Sequence, residues 1–107
     1  MAVWKVTEGT GDFEAFVNAR NLFEAEYIWA KRLCKDDKET KQEIINKYGP
    51  LVKTEKSVND WISECDSQFQ VNTRFVKINE NSVPPRFLPK AGRVKVHDLW
   101  SGDEDSD

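Results

Sequence analysis

One histidine, two cysteines and one methionine are all that the 107-residue chain supplies of the side chains most used for metals and soft nucleophilic chemistry. His97 stands alone, so no His-x-x-x-His or His-Glu pairing exists. Cys34 and Cys65 are too far apart for a Cys-x-x-Cys pattern. A zinc site is therefore not expected, nor any other metal or cofactor. Only Gly9-Thr10-Gly11 approaches a glycine-rich loop, and no Lys-Ser/Thr follows it, as a phosphate-cradling loop requires. No serine sits in Gly-x-Ser-x-Gly. No apolar run approaches the ~20 residues that span a membrane. The start, MAVWKVTEG, lacks the apolar core of a signal peptide. These absences lead to the expectation of a cytoplasmic, non-enzymatic protein with reduced thiols, each cysteine completing an apolar helical stripe.

What the chain does carry is aromatic mass, four Trp and six Phe, within a composition that is 38% hydrophobic and 33% charged. That suffices for one compact domain over 1–100. The charge is unevenly distributed. Residues 69–97 hold six Lys or Arg against Glu80 alone, whereas residues 98–107 hold five acids and no base. Residues 101–107 contain no apolar side chain and read as a disordered acidic tail.

Two β-prone runs open the chain, Val3–Thr7 and Asp12–Ala19, joined by the glycine-bearing turn EGTGD. In the second, Phe13, Ala15 and Val17 alternate with Glu14, Phe16 and Asn18, giving one apolar and one mixed face. Asn21 is a suitable N-cap, with Glu24 three residues on, for a helix from Leu22 to Cys34. Its apolar face is wide enough to need cover on more than one side. Asp36 with Glu39 predicts a capping box for a helix over 38–48, which Gly49-Pro50 stops. A third helix is expected from Val58 to Cys65, capped by Ser57 and Asp60, with Val58, Trp61, Ile62 and Cys65 at i, i+3, i+4 and i+7. Phe69–Ile78 reads as a strand and Arg93–His97 as a last short strand at an edge. Pro84-Pro85 cannot lie in a central strand. The expected class is α+β: a small antiparallel sheet in the order β-β-α-α-α-β-β, with helices packed on one face.

The basic segment is the strongest local signal. Arg74, Lys77, Arg93 and Lys95 are expected on neighbouring strands, with Phe75 between them. Basic residues interleaved with an aromatic can dock an acidic protein surface. They can equally bind single-stranded nucleic acid, and the acidic tail would then be a regulatory competitor. Glu24 and Glu26, and His97 beside Asp98, lack a nucleophile to act with.

Trp4, Phe13-Glu14, then Ala19, Leu22, Glu24 and Ala25 follow one another without a gap from Phe13 into the helix. With Phe69, Val71, Arg74 and Lys77 later in the chain, this pattern resembles the family of small bacteriophage-encoded inhibitors of host RNA polymerase found in short-tailed lytic phages. The resemblance covers residues 3–33 and 69–78. Two helices stand here between the first helix and the last strand, and Arg74 and Lys77 are three apart, on opposite faces of a regular strand. The resemblance implies a protein that inhibits a larger host protein, host RNA polymerase or a defence complex, by occupying its surface. It also implies an acidic partner patch met by Arg74 and Lys77, in a bacterial host cytoplasm. The alternative is the single-stranded nucleic-acid binder.

Overall fold

The structure is a computed structural model that describes residues 2–9, 13–33, 35, 37–98 and 102–106; for Phe13, His97, Asp98 and 102–106 it describes the backbone only. Strands β1 (Ala2–Thr7) and β2 (Phe13–Ala19) form an antiparallel hairpin in which Trp4 faces Val17 and Val6 faces Ala15. Helices α1 (Leu22–Arg32), α2 (Lys38–Tyr48) and α3 (Glu55–Phe69) follow, then β3 (Arg74–Ile78) and β4 (Val94–Asp98). The fold is the expected α+β one, an antiparallel sheet with helices against one face. β3 pairs with β1 and β4 pairs with β2, which gives the order β3-β1-β2-β4. Gly102–Ser106 continues the sheet as β5, antiparallel to β4. The tail expected to lack order thus pairs here through its backbone, and β4 is not the edge that was anticipated. A strand needs only backbone groups to satisfy a neighbour's open edge, so a polar sequence can do it.

Alternation sorts the sheet into two faces. Val6, Ala15, Val17, Ala19, Val94 and Val96 are buried together with Ala25, Trp29 and Ala30 of α1, Ile44 of α2, and Val58, Trp61, Ile62 and Cys65 of α3. Small and β-branched strand residues leave room for the two indoles, each only 2% exposed. Trp61 Nε1 donates to the Gly49 carbonyl at 3.3 Å. On the opposite face, Val3 and Phe16 are buried under Val83 and Phe87, with Ile78 and Leu88 alongside. This second layer is the Glu80–Phe87 segment of two short 3-10 turns. Its prolines were legible as a break in sheet structure, but its role as a lid over the outer face was not.

Local chemistry sets the helix ends. Asn21 Oδ1 accepts from Glu24 N at 2.9 Å, as expected. The Glu24 carboxylate does not return the bond; it pairs with Lys53 at 2.8 Å and Arg20 at 3.3 Å. The cap of α2 is Asp37, whose carboxylate accepts from Thr40 N at 3.0 Å; Asp36 and Cys34 lie outside the described residues. α3 starts earlier than anticipated, because Thr54 rather than Ser57 or Asp60 is the cap, accepting from Ser57 N at 3.2 Å. It also runs on through Phe69, so the strand expected from Phe69 begins only at Arg74. The turn between them is fixed by Asp66, whose carboxylate accepts from Thr73 N at 3.0 Å and Thr73 Oγ1 at 2.6 Å. Gln70 there takes a left-handed conformation with φ of 55°. Phe69 and Val71, the residues that would open the last strand in the family resembled, are therefore not strand residues.

Trp29 is the largest of the fully buried side chains. Trp29→Ala should cost about 3–5 kcal/mol, much of the stability of an ordinary domain. Urea unfolding checks this: an unchanged midpoint would contradict the packing of α1 on the sheet.

Candidate functional site

The five residues singled out by sequence do not form one patch. Arg74, Phe75 and Lys77 are on β3, whereas Lys95 is on β4 and Arg93 just precedes it. Two strands, β1 and β2, lie between, so the two groups stand about 14 Å apart across the sheet at the usual ~4.8 Å strand spacing. The expectation of neighbouring strands fails because the chain returns to opposite sides of the β1–β2 hairpin. Phe75 is also not available between the charges. It lies opposite Val6 and packs against the helix-side core.

Each group has its own surroundings. On β3, Arg74 and Val76 share the outer face with Lys5 and Thr7, while Lys77 lies on the helix side opposite Trp4. Val76 is 55% exposed. Among the described side chains of the sheet it is the one large apolar residue left so open. Lys5, opposite Val76, is held by Glu14 at 3.3 Å. Among the described strands, β3 has β1 on one side and none on the other. On β4, Lys95 is tied down: its Nζ donates to the Arg86 carbonyl at 3.1 Å, and the Arg86 guanidinium lies 4.8 Å from the centre of the Phe87 ring.

Arg93 belongs to a different place altogether. With Gly92 and Val94 it faces Ile28, Lys31, Arg32 and Lys35 across a cleft of about 280 Å³. Its backbone is pinned there. Gly92 N donates to the Asn18 carbonyl at 2.8 Å, Asn18 N to the Arg93 carbonyl at 3.1 Å, and Arg93 N to the Lys90 carbonyl at 2.9 Å. Asn18 Nδ2 further holds the Pro89 carbonyl at 3.0 Å. Gly92 makes the turn with φ of 75°, where a side chain would be strained. Sequence reading missed the α1 half of this cleft, because residues 1–68 carry no net positive charge. Its signal was present nonetheless: Ile28, Lys31, Arg32 and Lys35 recur at i, i+3, i+4 and i+7.

The remaining concavities are of other kinds. A cavity of about 470 Å³ between α1, α2 and the Pro50-Leu51 loop is lined by Tyr27, Ile45, Leu51 and Trp61, with Lys31 and Lys41 beside them. Another, of about 410 Å³, is lined by Glu26, Glu55, Lys56 and Asn59. Burial, and secondarily the charge of Glu55, pushes the Glu26 carboxyl above its ordinary range. Among the described residues no group of three or more His, Cys, Asp or Glu is placed to hold a metal ion. No described helix is long and apolar enough to cross a membrane.

Glu8, at the start of the β1–β2 turn, is raised above the ordinary 4.5, first by burial and then by repulsion from Asp66, with Arg32 opposing. The folded state therefore holds its proton more tightly than the unfolded chain. Stability falls as pH rises from 4.5 through the folded value, and the penalty is complete above it. Glu8→Gln should accordingly raise the melting temperature at pH 7, and the gain should vanish as pH is lowered below 4.5. A gain equal at both pH values would contradict the electrostatic origin.

No family model, curated protein or solved structure matches the chain, so the functional reading rests on the geometry of the β3 edge and of the basic cleft.

Proposed function

We propose that the protein is a small, non-enzymatic, phage-type binding protein that inhibits a larger bacterial host protein, RNA polymerase or a defence complex, by occupying its surface. The observation that supports this most is the β3 edge. An unpaired strand edge offers a row of backbone donors and acceptors that an extended partner segment can complete. Side chains on that strand then choose the partner. Here Arg74 and Val76 project on one face and Lys77 on the other. A partner strand with acidic residues at alternate positions and an apolar residue against Val76 would meet all three. Arg93 and Lys95 are too far across the sheet to join the same contact, and Phe75 contributes to it only as core support.

In this reading inhibition is steric: the bound protein covers a working surface of its target and no bond is made or broken. Arg74→Glu with Val76→Glu should abolish capture of a stoichiometric host protein from a bacterial lysate, while the melting temperature stays unchanged because both side chains are exposed. If the partner is the polymerase, the wild-type protein should also inhibit transcription by the purified enzyme, and the double variant should not. Equal capture by the wild type and the variant would overturn β3 as the contact. The absence of any stoichiometric partner would overturn the reading itself.

A further inference from the structure

From the cleft between α1 and the Gly92–Val94 turn we infer a second binding site, independent of the β3 edge, that takes the oligophosphate group of an anionic ligand. Four basic residues line it from two parts of the chain: Lys31, Arg32 and Lys35 from α1 and the turn that follows, and Arg93 from the other wall. Among the described residues no carboxylate lines it. This is unusual in a chain whose net charge is −3. Four lysines elsewhere are matched by acids, Lys5 by Glu14, Lys47 by Glu64, Lys53 by Glu24 and Lys56 by Asp60, whereas others, such as Lys38 and Lys41, have no acid partner among the described residues. Lys31, Lys35 and Arg93 form no such ion pair with a described residue.

The walls are built before any ligand arrives. The backbone of Arg93 is fixed by the hydrogen bonds that lock residues 89–93 onto Asn18. Arg32 is braced with its guanidinium 5.6 Å from the centre of the Trp29 ring, and it also feels Glu8. Lys31 lies 5.5 Å from the centre of the Tyr27 ring. Ile28 and Val94 contribute the apolar part of the lining. Like charges lining one cleft repel one another, so an anion that neutralises them gains that energy as well as its own contacts.

Ligand chemistry follows from the charge count and the volume. A single carboxylate would neutralise one of the three cations, Lys31, Lys35 and Arg93, that form no ion pair with a described residue. Adjacent phosphates carry several charges in a small space, and the planar fork of an arginine matches their oxygens. The volume of about 280 Å³ is at the small end of ligand sites, enough for a phosphate chain with the rest of the molecule outside. Two sources share that chemistry, a free nucleoside polyphosphate and the phosphorylated end of a nucleic-acid strand.

Titration calorimetry with inorganic tripolyphosphate at 0.15 M salt is the direct test. Saturable binding is expected to the whole protein. Lys35→Ala with Arg93→Ala should weaken it by about tenfold or more, since both are exposed and each loses a charge-assisted contact. Lys38→Ala with Lys56→Ala removes the same charge elsewhere and should leave affinity nearly unchanged. Displacement of tripolyphosphate by ATP or by a 5′-phosphorylated single-stranded oligonucleotide, compared with its unphosphorylated form, then assigns the source. No saturable binding overturns the inference, as does an equal loss in both double variants. A poly-aspartate peptide binding as tightly as tripolyphosphate would also overturn it, marking the cleft as a contact for acidic protein.

Discussion

β2 is buried on both of its faces, and nearly everything else in the molecule answers to that. Ala15, Val17 and Ala19 lie under the helices, while Phe16 lies under Phe87 at a ring-centre distance of 6.4 Å. A strand in this position needs a neighbour on each side and a layer above and below. The hairpin supplies β1, and β4 supplies the other neighbour. The layer above is α1 with α3, and the layer below is the Glu80–Phe87 segment. β3, joined only to β1, is left at the rim. The open edge is thus a consequence of how the centre is covered.

The same constraint separates the charges. Because β3 and β4 flank the hairpin on opposite sides, the run of basic residues that looks continuous in the chain is divided between two surfaces. Arg74 and Lys77 go to the free edge. Arg93 goes to a cleft with cations from α1, which is remote from it in sequence. On the readings proposed above, one surface suits backbone pairing and the other a compact polyanion.

Much of this was legible in the chain. The alternation of Phe13–Asn18, the Asn21 cap, the Gly49-Pro50 stop and the spacing of Val58, Trp61, Ile62 and Cys65 gave the element types and the α+β class. Boundaries failed where side chains far from the local pattern intervened. Phe69–Thr73 looks β-prone, but the Asp66 carboxylate draws Thr73 back to α3 and the helix keeps Phe69. The site was only partly readable. Residue types on β3 could be listed, but which strands neighbour one another is settled by non-local pairing. The Lys31-Arg32-Lys35 arrangement was visible in the spacing and hidden by nearby acids in the overall charge.

The central claim is that β3, one of the two edge strands of the sheet, is the place where the partner attaches. Residue-resolved amide hydrogen exchange, with and without the partner, tests it most directly. In the free protein the β3 amides that do not donate to β1 should exchange fast, while those of β1 and β2 are protected. In the complex those same β3 amides should become protected, with little change in β4. Protection of them already in the free protein, or partner-induced protection confined to other strands, would contradict the account.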